Sequence, residues 1–321
     1  MNGSRVLVTG ANGFVGSAVM ARLLSDGGLT VVGGVRDLAR CFYPCEYLFF
    51  DLGAHIPVAS LRGIDTVVHA AARVHVMTAQ GANDLDLFRA SNVDGTVRLA
   101  MSAAQAGVKR FIFISSIKVN GESTLLGKPY TSFDLPAPVD AYGVSKFEAE
   151  EALMELGVRT GMEIVIIRPP LVYGPGVRAN FLSMLRWVDS GVPLPFGSIK
   201  NRRSMIALDN LTDLIDRCVD HPSAPGNVFL VSDGEDLSTT QLLSRVARSL
   251  GVQSRLVPVS QEILSMGLAW FGKQALTTRL CDSLQVDMSR TCDLLDWRPP
   301  VSVEDALAGV AKHYLEIKKY K

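Results

Sequence analysis

The chain has 321 residues, 48% hydrophobic and 20% charged, a composition typical of globular proteins that excludes a disordered chain. Lys plus Arg and Asp plus Glu both number 32, so the basic excess that a general nucleic-acid binder needs is absent. There is no apolar run of about 18 residues and no signal-peptide pattern, so we expect a cytoplasmic protein without a membrane span. The five scattered cysteines indicate reduced thiols, and no metal site is predicted.

The first half of the chain alternates short β-branched runs with longer segments of helical periodicity. Strands are predicted at 5–9, 30–35, 47–50, 66–70, 110–115 and 163–168, and helices at 14–25, 84–106 and 141–160. Apolar strands that alternate with helices predict an α/β fold, a Rossmann-type doubly wound parallel sheet covered on both faces.

Beyond residue 168 the pattern changes, and a smaller α/β C-terminal unit is expected. The stretch up to 197 is irregular and rich in Pro and Gly. Further helices are predicted at 209–221, 238–250 and 302–317, a strand at 228–232, and a short buried helix over the apolar residues 263–272. We therefore predict a dinucleotide-binding domain over 1–172, to which 204–232 returns, and a substrate domain over most of 173–321.

A glycine-rich turn joins the first predicted strand to the first helix. Gly10 permits a tight turn, Gly13 lets the backbone approach a pyrophosphate, and Gly16 lets helix and strand pack closely. The start of the helix adds free N–H groups that bind phosphate. The turn therefore predicts a dinucleotide site, with further contacts from Asn12, Phe14 and Val15.

The end of the second strand bears on the choice of cofactor. An acid at this position binds the ribose 2′-hydroxyl of NAD, whereas an arginine suits the 2′-phosphate of NADP. Arg36 comes first and Asp37 follows. We therefore expect NADP(H), with NAD(H) as the alternative. Later strand ends are expected to line the same cofactor, through Asp51, Leu52, Ala70, Ala71 and Ala72.

Tyr142 and Lys146 carry the strongest chemical signal. Their i, i+4 spacing places both on one face of the predicted helix 141–160. A nearby ammonium group favours the phenolate, so we expect a lowered tyrosine pKa and acid–base chemistry near neutral pH. Ser116, at the end of the fifth strand, is expected to bond the same substrate oxygen. His69 is interpreted as a packed histidine.

Taken together and in this order along the chain, the motifs resemble those of the extended short-chain dehydrogenase/reductase family of nucleotide-sugar epimerases, dehydratases and reductases. The resemblance rests on the glycine turn, residues 92–96, Ser115-Ser116, Tyr142-x3-Lys146, Arg168-Pro169 with 173–175, and 294–299. It implies Ser116, Tyr142 and Lys146 as catalytic residues, Asn92 and Pro169 at the cofactor, a UDP-sugar substrate and a homodimer. It also implies substrate contacts from Lys118, Asn180, Arg203 and Arg279.

Three reactions share this scaffold. Dehydration needs an acidic pair after the serine, but Ile117 and Lys118 stand there. Arg36, together with a string at 115–122 that is similar to bacterial reductases, favours reduction of a UDP-4-keto-6-deoxy-N-acetylhexosamine to UDP-N-acetylquinovosamine or UDP-N-acetylfucosamine. The alternatives are a UDP-hexose 4-epimerase with tightly bound NAD and a non-enzymatic dinucleotide-sensing regulator.

Overall fold

Seven parallel strands form the main sheet in the computed structural model, which describes residues 4–25, 27–74, 84–270 and 280–319. The strands are β1 (Arg5–Thr9), β2 (Thr30–Val35), β3 (Glu46–Phe49), β4 (Thr66–His69), β5 (Arg110–Ile114), β6 (Glu163–Arg168) and β9 (Asn227–Leu230). Their order is β3-β2-β1-β4-β5-β6-β9, and β7 (Leu171–Tyr173) pairs with β8 (Met205–Ala207) in a second, two-stranded sheet. The predicted Rossmann-type α/β fold is confirmed.

Helices cover both faces of the main sheet and also form most of the C-terminal part. They are α1 (Phe14–Ser25), α2 (Asp84–Phe88), α3 (Gly95–Ala106), α4 (Ala141–Thr160), α5 (Ala179–Asp189), α6 (Leu208–Asp220), α7 (Thr239–Leu250), α8 (Gln261–Trp270), α9 (Ser289–Leu295) and α10 (Val303–Lys319). Alternate strand residues face opposite layers. Val6 and Val8 pack towards α1 and α6, whereas Leu7 packs towards α3 and α4.

The predicted helix over 84–106 is wrong in its middle. The chain forms α2, then a wider π-helical turn over Arg89–Asp94, and then α3. π turns of this kind are frequent at functional sites. Here the turn carries the buried Asn92, and the amide of Asn92 makes three bonds that are described with the site.

The C-terminal part has a core of its own, built from β7, α5, α7 and α10. The irregular stretch expected up to 197 contains β7 and α5, which we did not predict. β9 adds to the main sheet beside β6. The expectation of a buried helix at 263–272 is only partly met, because Leu264 in α8 is buried while Ile263 and Met266 are exposed. In the part of the chain that is described, no helix is both long and apolar enough to cross a membrane.

The order of the strands determines where a ligand can bind. All seven are parallel, so their carboxyl ends meet at one edge of the sheet. From β1 the order runs through β2 and β3 on one side and through β4 and β5 on the other. This reversal opens a crevice at the carboxyl ends of β1 and β4, the usual ligand position in doubly wound sheets.

Candidate active site

The glycine turn lies at this crevice, directly after β1. Gly10 has a φ of +69°, and a Cβ there would come within 2.9 Å of the Cα of Ala71. A Cβ on Gly16 would lie 2.1 Å from the carbonyl oxygen of Gly10. The turn is therefore folded tightly on itself and against Ala70 and Ala71, which follow β4. This brings two predicted parts of the cofactor site together.

The turn also fits a dinucleotide in its polar atoms. The side-chain oxygen of Asn12 is buried and has no hydrogen-bond partner. Buried polar groups are nearly always bonded, so this acceptor is open to a hydrogen-bond donor of a ligand. An asparagine amide presents an acceptor on one side and two donors on the other. Phe14 and Val15 then begin α1, where free N–H groups are available to a diphosphate.

Other predicted cofactor residues lie at the ends of neighbouring strands. Arg36 follows β2 and is exposed. Asp37 bonds locally, because its carboxylate accepts from the backbone N–H of Ala39 at 3.0 Å and pairs with Arg40 at 3.3 Å. The carboxylate of Asp51, just beyond β3, accepts from the N–H of Gly53 at 2.7 Å. The end of β2 therefore presents an exposed arginine next to an acid that is bonded within its own loop.

Two bonds to backbone carbonyl groups set the shape of the site around these strand ends. The carbonyl of Leu52 accepts a bond from Arg98 at 2.6 Å, which ties the end of β3 to α3. The carbonyl of Pro169, after β6, accepts from the N–H of Ile117 at 2.9 Å. This second bond holds the turn that follows Ser116 against the end of β6. Leu52 and Pro169 thus use their carbonyl groups within the protein.

Asn92 supports the site through its side chain. Its amide oxygen accepts from the backbone N–H of Arg73 at 2.8 Å, and its amide nitrogen donates to the Arg73 carbonyl at 3.0 Å and to the Ser145 hydroxyl at 3.1 Å. The side chain therefore joins the segment after β4 to the helix of Tyr142. These bonds use both N–H groups of the amide within the protein, so the side chain helps to position the segments around the site.

Ser116 and Tyr142 come from separate segments that the fold presses together. Ser116 begins a 3₁₀ turn over Ile117–Val119, and its hydroxyl accepts from the N–H of Lys118 at 3.3 Å. A Cβ on Gly143, in the first turn of α4, would lie 2.8 Å from the carbonyl oxygen of Lys118. Only glycine permits this approach, which sets the start of α4 against the turn after Ser116.

Lys146 is buried beneath the end of β5. Its Nζ donates to the carbonyl of Ile114 at 2.8 Å and lies 4.3 Å from the ring centroid of Phe113. Burial lowers the pKa of Lys146 to about 7, and the negative charge of Glu150 opposes part of this shift. The ammonium group is therefore close to its titration point at neutral pH.

The expectation that Lys146 lowers the pKa of Tyr142 is wrong for the protein without bound cofactor. Burial raises the pKa of Tyr142, and the charge of Asp140 raises it further. The physical reason is that both members of the pair are desolvated, so Lys146 is only partly charged at neutral pH and offers the phenolate little stabilisation. Tyr142 is thus a neutral phenol, which also packs edge-on to Phe88 at 6.0 Å.

A buried ion pair behind Lys146 was not predicted. Arg168, at the end of β6, donates to both carboxylate oxygens of Glu150, with its shortest bond at 2.5 Å. Its other nitrogen donates to Asn120 at 3.0 Å, and Ser115 donates to Glu150. The spacing Lys146-x3-Glu150 signals that the two face the same way, but only the fold shows the arginine partner.

His69 is a packed histidine, as interpreted. Its ring nitrogens bond the hydroxyl groups of Thr9 at 2.6 Å and Thr96 at 3.0 Å. Burial lowers the pKa of His69 to about 3, with a smaller contribution from the charge of Lys146. The ring therefore stays neutral and holds β1, β4 and α3 together.

The predicted substrate residues are dispersed. The ammonium of Lys118 pairs with Glu122 and Asp140. Asn180 is exposed in the first turn of α5. Arg203 is half-buried and donates to the carbonyl of Asp282 at 2.9 Å. Arg279 lies outside the described residues. These substrate assignments stay predictions.

The sheet order and the glycine turn at the strand reversal define the dinucleotide-binding class of α/β proteins. A family model described as the NAD dependent epimerase/dehydratase family matches residues 6–232. The chain therefore belongs to that family, as the motifs predicted.

Relatives with known names are similar over nearly the whole chain. A UDP-glucose 4-epimerase of Vibrio cholerae is 44% identical over 319 residues, which cover 97% of this chain and 95% of that protein. Among solved structures, a UDP-glucuronic acid 4-epimerase of Bacillus cereus with NAD has a TM-score of 0.78 at 22% identity, covering 99% and 98% of the two chains. A UDP-glucose 4-epimerase of Thermotoga maritima with UDP-glucose has a TM-score of 0.77 at 20% identity, covering 98% and 99%.

These findings favour one of our alternatives over our first expectation. The Vibrio cholerae relative is named as a 4-epimerase, and the family description names NAD. The epimerase interpretation is therefore better supported than the 4-keto-reductase, and NAD better than NADP(H). The exposed Arg36 does not by itself select NADP(H), because an arginine after β2 is compatible with either cofactor.

Proposed function

We propose that this protein is an NAD-dependent 4-epimerase of a UDP-linked hexose. The observation that carries the proposal is the 44% identity to the UDP-glucose 4-epimerase of Vibrio cholerae, because it extends over nearly the full length of both chains. The match therefore includes the cofactor turn, the catalytic candidates and the C-terminal part that would receive the sugar nucleotide.

The residues of the site suit this reaction. Tyr142 would take the proton from the C4 hydroxyl of the sugar and return it to O4 once the configuration at C4 has been inverted. Ser116 would donate a hydrogen bond to the same oxygen, and Lys146 would hold the ribose next to the nicotinamide. NAD, when bound, supplies an acceptor for the C4 hydride and a positive ring charge that favours the phenolate. Because hydride and proton both return to the sugar, no reductant is consumed.

The cofactor would rest on the glycine turn. Gly10, Gly13 and Gly16 leave room for a diphosphate, the start of α1 supplies N–H donors, and Asn12 has a buried group to satisfy. A UDP-sugar would then bind towards the C-terminal core, where Asn180, Arg203 and Arg279 are the proposed contacts. A homodimer is part of the same proposal, and light scattering would check it.

Product analysis tests the reaction. Purified protein is incubated with NAD and one UDP-sugar at a time, without added reductant. The four UDP-sugars are UDP-glucose, UDP-galactose and their two N-acetylated counterparts, and the products are identified by NMR. We expect one pair to interconvert from both directions. If no pair interconverts, and a UDP-4-keto-6-deoxy-N-acetylhexosamine is instead reduced with consumption of NADPH, the protein is a reductase and the proposal is wrong.

Substitution of Tyr142 by Phe tests the acid–base role. The variant lacks only the hydroxyl group, so we expect kcat to fall by about 10² or more while NAD still binds. The variant Tyr130→Phe is a matched control, because Tyr130 is a half-buried tyrosine whose hydroxyl bonds the backbone of Ser123. Unchanged turnover in Tyr142→Phe would remove this residue from the proposed mechanism.

A further inference from the structure

Lys118 was expected at the substrate, but its ammonium group has two partners within the protein. Its Nζ donates to a carboxylate oxygen of Asp140 and, at 2.9 Å, to Glu122. The side chain of Lys118 is about one-third exposed, so the ion pairs are partly shielded from solvent. Burial lowers the pKa of Lys118, but the bonds to Asp140 and Glu122 outweigh burial and raise it overall. Lys118 therefore remains a cation throughout the neutral range.

Asp140 has two opposing effects on the catalytic helix. Its Oδ1 accepts from the N–H of Gly143 at 2.7 Å and so caps the first turn of α4. Its negative charge, two residues before Tyr142, adds to the effect of burial in raising the pKa of that phenol. The cap is useful for the fold, whereas an unneutralised carboxylate at this place disfavours the phenolate that the reaction needs.

We propose that Lys118 is a positioning residue that neutralises the Asp140 cap and ties the start of the catalytic helix to the turn carrying Ser116. Its side chain reaches Asp140, while its own N–H donates to the Ser116 hydroxyl at 3.3 Å and its carbonyl lies against Gly143. One residue thus contacts both segments that hold the catalytic candidates. The inference rests on the proposed function, because it requires Tyr142 to exchange a proton.

The other charged residues around Tyr142 are the same in all the variants compared below. Lys146 and Glu150 lie on α4 itself, and Arg89 of the π turn pairs with Glu148 of α4 at 2.6 Å. Those on the elements packed against the helix include Asp84 and Asp86 of α2, Glu122 after β5, Arg168 at the end of β6 and the neutral His69 on β4, which faces Lys146. Differences between variants at positions 118 and 140 therefore report on the Lys118–Asp140 pair.

Two substitutions with opposite expected signs test this role. Lys118→Met exposes Tyr142 to unbalanced carboxylates and should move the rising limb of the pH profile of kcat to higher pH. Asp140→Asn removes the charge but keeps a side-chain oxygen for the cap, and should move the limb to lower pH. A unit charge a few ångströms beyond hydrogen-bond distance shifts the pKa of Tyr142 by about half to one unit. At a fixed pH on the rising limb, this changes kcat by about three- to tenfold.

Two further variants complete the series. The double variant Lys118→Met with Asp140→Asn should lie between the single variants, and Lys118→Arg should restore the parental profile. Asp134→Asn is the matched control, because Asp134 belongs to the same loop but accepts from the N–H of Thr131. If Lys118 only held the loop in place, kcat would fall equally at every pH in Lys118→Met and the limb would not move. That result would overturn the proposal.

A spectroscopic readout separates this inference from the proposed function. The ultraviolet absorbance of tyrosinate is followed against pH in the NAD-loaded protein, and the signal of Tyr142→Phe is subtracted from that of each variant. We expect the Tyr142 titration to move up in Lys118→Met and down in Asp140→Asn. If these shifts appear although no UDP-sugar is epimerised, the proposed function fails and the electrostatic role stands. If both variants move the titration in the same direction, or neither does, the electrostatic role is wrong.

Discussion

Lys146 couples the stability of the fold to pH. Burial lowers its pKa to about 7, whereas the unfolded lysine titrates near its ordinary value of 10.5. Between these values the unfolded chain holds a proton that the folded protein has lost, so unfolding takes up a proton. The cost of burying the charged ammonium therefore lowers the free energy of unfolding fully below pH 7, and this cost disappears as the pH rises towards 10.5.

The variant Lys146→Met measures this penalty, because methionine has a similar length and no charge. One pKa unit corresponds to about 1.4 kcal/mol, so the window of about 3.5 units between 7 and 10.5 gives a penalty on the order of 5 kcal/mol. Loss of the bond from Nζ to the Ile114 carbonyl costs about 1 kcal/mol at every pH. We expect the variant to be more stable than the parent below pH 7, by a few kcal/mol, and to lose that advantage as the pH approaches 10.

Urea unfolding of the cofactor-free protein at several pH values between 6 and about 9.5 is the assay. The difference in unfolding free energy between parent and variant should change by about 1.4 kcal/mol per pH unit above pH 7. Lys109→Met is the control, since Lys109 is an exposed lysine paired with Asp65 at 2.9 Å, and it should show no such slope. A difference between parent and Lys146→Met that stays constant from pH 6 to 9 would refute the argument.

Three further substitutions test other parts of the site. Glu150→Gln leaves the buried guanidinium of Arg168 without its carboxylate and should lower the free energy of unfolding in urea by about 3–5 kcal/mol. Most of this loss should be recovered in the double variant with Arg168→Met, and equal losses in the single and double variants would contradict the prediction. Gly16→Ala places a Cβ 2.1 Å from the carbonyl oxygen of Gly10, so the turn must shift, and calorimetry should show NAD affinity reduced by about tenfold or more. Arg36→Ala should weaken NADPH binding far more than NAD binding if the guanidinium meets a 2′-phosphate, and equal effects would show that it does not.

Local patterns were sufficient for several elements in the cofactor half of the molecule. β1, the glycine turn and α1 were predicted at their observed bounds, because strand alternation, glycine spacing and helical periodicity act between residues close in sequence. α4 was predicted for the same reason, and with it the common face of Tyr142 and Lys146. By contrast, α5 was missed because Arg178, the residue before it, offers no capping side chain, and the surrounding Pro and Gly masked its periodicity.

The amino-acid sequence by itself determined the class of fold, the dinucleotide turn and the residue types available for proton transfer. The tertiary structure decided their electrostatics, because desolvation depends on which chain segments cover a group. Burial brings Lys146 towards neutrality and holds Tyr142 as a phenol, which reverses the effect expected from their spacing alone. Partners distant in sequence, such as Glu150 and Arg168, also meet only when parallel strands and their helices pack together.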